Sequence, residues 1–93
     1  MTESVGTAAA LPDHVLLQTM DTGEAVMLDL ENESYFGLNE VGARIVDLLT
    51  SLESVDAVLK ALTLEYDADA ATLRRDIADL IEALRARGLL TVA

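Results

Sequence analysis

The sequence predicts an α+β fold, a three-stranded antiparallel sheet followed by three helices, and three observations predict it. Up to Leu38 the apolar residues come in short runs, one of them strictly alternating, separated by turn signals, which is the period of a strand. From Val41 onward they recur every three or four residues, the period of a helix with one buried face. The residues where the period changes or restarts, Asn39, Ser54, and Asp67 or Asp69, are of the type that caps a helix N-terminus.

Met1 to about Asp13 is small, polar and unpatterned, with Gly6, Ala8 to Ala10 and the only proline, Pro12, and reads as a disordered tail; the folded domain is expected from His14 to Ala93. The first strand is expected over Val15-Leu16-Leu17-Gln18-Thr19-Met20, ending at the turn signal Asp21-Thr22-Gly23. The second covers Ala25 to Leu30, with Val26, Leu28 and Leu30 on one face and Met27 and Asp29 on the other. Glu31-Asn32-Glu33 turns the chain into a third strand from about Ser34 to Gly37. Connections this short give an antiparallel meander in the order one-two-three, leaving the first and third strands as edges.

Asn39 caps the first helix, with Leu38 and Ala43 placed for a weak hydrophobic staple, and Val41, Ile45, Leu48, Leu49 and Leu52 make its apolar stripe to about Thr50. Ser54 caps a second helix with Val55, Val58, Leu59 and Leu62 inward, ending near Glu65 or Tyr66. The third carries the strongest pattern, Ala70, Leu73, Ile77, Leu80, Ile81 and Leu84. Arg85 and Arg87 suit the dipole of its last turn, and Gly88 stops it. Leu89 to Val92 is apolar enough to pack back as a short extended tail.

The junction of sheet and helices carries the most information. Tyr35 and Phe36 are two of the three aromatic residues, and adjacent strand residues point to opposite faces, so one serves the core and the other an outer surface. The run "YFGLNEVGARI", preceded by "LDLENES", resembles PqqD-like proteins, the peptide-recognition elements of ribosomal peptide biosynthesis. The resemblance extends from about His14 to Val92, and its most specific part is Asn39, Gly42 and Ile45, spaced N-x-x-G-x-x-I. Among such proteins, a short acidic chain looks most like the recognition subunit of lasso-peptide pathways. It departs at Val46, where such proteins often carry a large aromatic. The resemblance implies a winged helix-turn-helix-like arrangement.

Composition narrows the function classes. With 93 residues and an apolar share of 52% the chain makes one domain, its core filled by Leu, Val, Ile and Ala because aromatics are scarce. The absence of cysteine excludes a disulfide framework and thiolate metal sites and fits a cytoplasmic protein. Glu3 stands where a signal peptide would be basic, and no apolar run approaches the roughly 20 residues of a membrane span. From Met1 to Ala43 there are eight acids and no Lys or Arg. All six basic residues follow, at Arg44, Lys60, Arg74, Arg75, Arg85 and Arg87. Such a field repels phosphate backbones and anionic lipid and favours a cationic partner.

Catalysis finds no equipment here. His14, the only histidine, lies at the edge of the tail, and there is no Gly-rich phosphate loop, G-x-S-x-G elbow or H-E-x-x-H pair. Asp76, Asp79 and Glu82 fall at helical spacing but read as a solvated face, so neither a metal nor a cofactor is expected. DNA binding by a winged helix would need a basic stripe, and Arg74 and Arg75 are followed at once by those acids. Strand addition of a peptide is the reading that remains, since an edge strand offers unpaired N–H and C=O groups. The resemblance implies that the leader of a precursor peptide pairs antiparallel with the third strand. Ser34, Tyr35, Phe36, Gly37 and Leu38 would then meet its backbone, while Arg74, Asp76, Ile77, Leu80 and Leu84 line the opposite wall. It further implies, for lasso-pathway members, a leader carrying an aromatic and a proline and a separate cysteine protease that removes it. A general interaction or scaffold domain for another peptide-modifying enzyme is the alternative.

Overall fold

The computed structural model describes residues 7–92. In chain order these form β1 (Ala9–Ala10), β2 (Val15–Thr19), β3 (Ala25–Asp29), β4 (Ser34–Leu38), α1 (Glu40–Leu49), α2 (Val55–Glu65), α3 (Ala70–Ala86) and β5 (Thr91–Val92). The expected α+β architecture holds. β2, β3 and β4 make an antiparallel meander in that order, with Leu17 opposite Met27 and Met27 opposite Phe36. Three helices follow, α2 packing on both α1 and α3.

Each helix starts where the sequence offers a cap. The side chains of Asn39, Ser54 and Asp69 accept from the N–H groups of Gly42, Ala57 and Thr72, so Asp69 and not Asp67 opens α3. At the other end of α3, the N–H groups of Gly88 and Leu89 donate to the carbonyls of Arg85 and Leu84. This pairing needs a left-handed residue, and Gly88 supplies it at φ +72.

Two features depart from the sequence reading or complete it. The expected tail is ordered from Thr7: Ala8 and Ala9 are buried, the Ala8 N–H donates to the Leu52 carbonyl at 2.7 Å, and β1 pairs antiparallel with β5. Small side chains let this segment lie against the core, and its partner is at the far end of the chain, so no local pattern announces it. The rest of the expected tail lies outside the described residues. The second concerns β3, where alternation separated two faces without deciding which one enters the core. Ala25, Met27 and Asp29 are buried, whereas Leu30 is exposed and Val26 and Leu28 are half-buried on the outer face.

Asp29 is tolerated inside because it organises the next turn. Its carboxylate accepts from the N–H groups of Glu31 and Asn32 and from the Asn32 side-chain amide, at 3.1, 3.1 and 2.9 Å. The Asn32 side chain, then the Asn32 N–H, hold the carboxyl below its usual range; burial opposes them, and the Glu31 N–H and His14 add to the lowering. A depressed folded pKa contributes stability at pH values above the unfolded value of about 3.9. That contribution disappears as pH falls through the folded value. Between pH 5 and 3 wild type should therefore lose more thermal stability than Asp29→Asn; equal losses would remove Asp29 from the turn's pH response.

Candidate functional site: the open edge at the third strand of the meander

The ladder of β2 and β3 decides which backbone groups of β4 are free. Leu30 donates to the His14 carbonyl at 2.8 Å and Met20 to that of Glu24 at 2.9 Å. Even-numbered β3 residues therefore bond to β2, and Ala25, Met27 and Asp29 bond to β4. Their partners are Leu38, Phe36 and Ser34, so the N–H and C=O groups of Tyr35 and Gly37 point away from the sheet. Among the described residues nothing pairs with that side: β5 is engaged with β1, not with β4. Four hydrogen-bonding groups thus stand along one open edge.

Side chains alternate across the same strand. Phe36 faces inward and is half-buried, with the Arg87 guanidinium 5.1 Å from its ring centroid, within the range of a cation–π contact. Tyr35 points to the outer face and is 71% exposed, enough to make it a surface residue despite its size. It lies opposite Leu28, which lies opposite Leu16, and with Leu30 this makes an apolar row across the outside of the sheet. A shallow depression there is lined by Leu28, Leu30, Glu33, Ser34 and Tyr35.

Where β4 enters α1, a second concavity of about 400 Å³ is lined by Asn39, Val41, Gly42, Ile45, Asp76 and Leu80. The N-x-x-G-x-x-I spacing acquires its physical meaning here. The Gly42 N–H donates to Asn39 Oδ1 at 2.8 Å, and a Cβ on Gly42 would lie 3.2 Å from that oxygen and 3.4 Å from Leu38 Cδ2. Glycine keeps both the cap tight and the floor of the concavity low, while Ile45 is buried beneath it.

The expected site residues divide accordingly. Of the expected strand residues only Tyr35 and Gly37 hold open backbone groups, because those of Ser34, Phe36 and Leu38 are engaged with β3, and Asp76 and Leu80 line the concavity at the end of the strand. Leu38 contributes backbone to β4, but its side chain is core. Ile77 and Leu84 are 0% exposed, so their side chains belong to the core and offer no wall. The cause is helical phase: Leu73, Ile77 and Leu84 lie on the centre of the buried stripe, and Leu80 lies on its margin, half-exposed. Arg74 is exposed on α3 and does not line the concavity. Asp76, Asp79 and Glu82 form no metal-holding cluster among the described residues.

Sequence reasoning read Arg87 only as a dipole partner and Val41 only as part of a stripe; it singled out Gly42 and Ile45 by their spacing with Asn39 but gave them no place in the site. Arg87 could have been found by spacing, since it continues the Asp76, Leu80 margin of α3 toward Phe36. The one early cation, Arg44, is not at this site. It donates to both carboxylate oxygens of Glu65 at 2.9 and 2.7 Å and to Asp47 at 2.6 Å, clasping α1 to the end of α2. Arg44 holds the Glu65 carboxyl below its usual range against some desolvation.

Comparison with known proteins places this geometry in a context. Residues 24–90 match the family model for coenzyme PQQ synthesis protein D (PqqD). A PqqA binding protein of Rhodopseudomonas palustris strain TIE-1 is 30% identical over 89% of this chain and 80% of its own length. That of strain ATCC BAA-98 / CGA009 is 31% identical over the same shares. Among solved structures, TbiB1 in complex with the TbiA(beta) leader peptide superposes with a TM-score of 0.78 at 36% identity, covering 86% of this chain and 92% of that one. Lasso peptide synthetase B1 complexed with the leader peptide gives 0.80 at 31%, covering 90% and 98%.

Proposed function

This chain belongs to the PqqD family, and from that premise we propose that it is a non-catalytic, cytoplasmic recognition subunit of lasso-peptide biosynthesis. It binds the leader of a ribosomally made precursor by strand addition at β4 and delivers it to a leader peptidase. The observation that carries this reading is the open edge, with Tyr35 and Gly37 presenting unpaired N–H and C=O groups beside a concavity of mixed polarity.

Magnitudes say what else the site must supply. Four backbone hydrogen bonds at roughly 1 kcal/mol net each give about 4 kcal/mol. Ordering a flexible peptide costs about 2 to 5 kcal/mol or more, so backbone pairing nearly cancels. Affinity then rests on side chains: in an added strand they alternate, one set entering the concavity of Val41, Ile45 and Leu80, the other lying over Leu28, Leu30 and Tyr35. The apolar row on the outer face also supports a role in delivery, because it lies beside the bound peptide and would meet an enzyme together with it. Tethering the precursor there raises its local concentration at the peptidase.

The test is a titration of isotopically labelled protein with the leader encoded beside its gene. The amides of Tyr35 and Gly37 should shift most, together with those of Val41, Gly42 and Leu80. Affinity for a lysine-containing leader should fall modestly as salt rises, since exposed Glu31 and Glu33 stand near the start of the edge. Shifts confined to β2 or α2 would refute the placement, and a flat salt response would limit the acids to solubility.

A further inference from the structure

The margin of α3 nearest β4 carries opposite charges at two points eleven residues apart. Asp76 lines the concavity by Asn39 and Gly42, and Arg87 lies over Phe36 nearer the start of the strand. Neither has an oppositely charged side chain within salt-bridge distance among the described residues, in contrast to Arg44, which is fully engaged. Two unpaired charges of opposite sign along one margin of α3, Asp76 in the concavity and Arg87 outside it over Phe36, leave their partners to be supplied by a strand added at β4. Resting on the strand-addition reading, we infer that Asp76 and Arg87 are specificity-determining residues: they select an extended peptide whose inward-facing side chains include a cation toward its N-terminus and a carboxylate toward its C-terminus.

The order follows from topology. A peptide antiparallel to β4 places its N-terminal end beside Leu38 and Asn39, hence by Asp76, and its C-terminal end beside Phe36 and Ser34, hence by Arg87. The spacing follows from rise. Asp76 to Arg87 spans roughly 16 Å of helix at about 1.5 Å per residue, and a strand advances about 3.4 Å per residue. Inward-facing positions recur every second residue, so the cation precedes the carboxylate by four, with long side chains covering the remaining distance. Arg87 need not leave Phe36 to accept this carboxylate, because the guanidinium plane stacks on the ring while its edge donates. The reverse order, carboxylate before cation, sets like charges together at Asp76 and at Arg87, whereas exposed Glu31 and Glu33 lie past the level of Phe36 and attract cations further toward the peptide's C-terminus.

The experiment is selection from a library of random twelve-residue displayed peptides against wild type, against Asp76→Lys/Arg87→Glu, and against Tyr35→Pro as the closed-edge control. Wild type should enrich Lys or Arg four residues before Asp or Glu, and synthetic peptides of that order should bind about five- to tenfold tighter than their charge-reversed counterparts, the scale of two exposed pairs. The doubly substituted protein should invert the preference, an outcome that a change in stability alone would not produce. Enrichment above the Tyr35→Pro control without a charge order, or with the same order on both proteins, overturns the assignment of Asp76 and Arg87 while leaving strand addition standing. Equal enrichment on wild type and Tyr35→Pro overturns strand addition, and this inference with it.

Discussion

Tyr35→Pro is expected to abolish leader binding while the protein still unfolds cooperatively. The Tyr35 N–H faces away from β3, so proline removes no ladder hydrogen bond, and an edge strand is the place where a sheet tolerates it. Ser34 before it is already extended, as a residue preceding proline must be. The incoming strand, however, loses a donor and meets the ring. If pairing is lost as a unit, the roughly 4 kcal/mol of its four bonds corresponds to an affinity loss of about 10³. Tyr35→Ala separates backbone from side chain, since it keeps the N–H and should lose only the contact made by the ring. Phe36→Pro should do the opposite of Tyr35→Pro, breaking a bond to Met27 and loosening the β3–β4 hairpin itself. Calorimetric titration and thermal melts of the three variants decide it: unchanged affinity in a folded Tyr35→Pro protein would exclude augmentation at β4.

The contrast between adjacent residues shows what a sequence can and cannot reveal about such an edge. Strand boundaries, meander order and helix caps were legible because each is a local signal: Asp21-Thr22-Gly23 and Glu31-Asn32-Glu33 can only turn, and Asn39, Ser54 and Asp69 each find a helix N–H three residues on. Which face of β3 is buried was not legible, because Val26, Leu28 and Leu30 look more apolar than Met27 and Asp29. Burial of Asp29 becomes acceptable only once Asn32 folds back to satisfy it, a property of the turn and not of the strand. The pairing of Ala9 with Val92 is a contact between the chain's extremes that no window contains. The site was half legible. Alternation assigned Tyr35 and Phe36 to opposite faces but not which to which, and that choice follows from the register with Met27. Helical spacing put Ile77, Leu80 and Leu84 on one stripe, yet the few tens of degrees that divide a core residue from a groove residue depend on how α3 is rotated against the sheet and α1.

That division carries the second large effect. Leu80→Ala is expected to weaken leader binding about tenfold or more, because Leu80 lines the concavity and is only half-buried without a guest. Its cost to folding should be smaller than that of Ile77→Ala or Leu84→Ala, where each truncation leaves a cavity in a fully enclosed site and should cost about 2 to 5 kcal/mol. For a domain of this size total stability is about 5 to 14 kcal/mol, so either core variant consumes a large share of it and mixes a loss of folding into any loss of affinity. Leu80→Ala keeps enough stability for both measurements, which makes it the informative variant. Denaturant unfolding gives the folding cost and titration with the leader gives the binding cost. A loss of binding that exceeds the loss of stability places Leu80 in the peptide's path. A loss of stability within the core range, with affinity intact, would return Leu80 to the core beside Ile77 and confine recognition to the strand edge and the outer face around Tyr35.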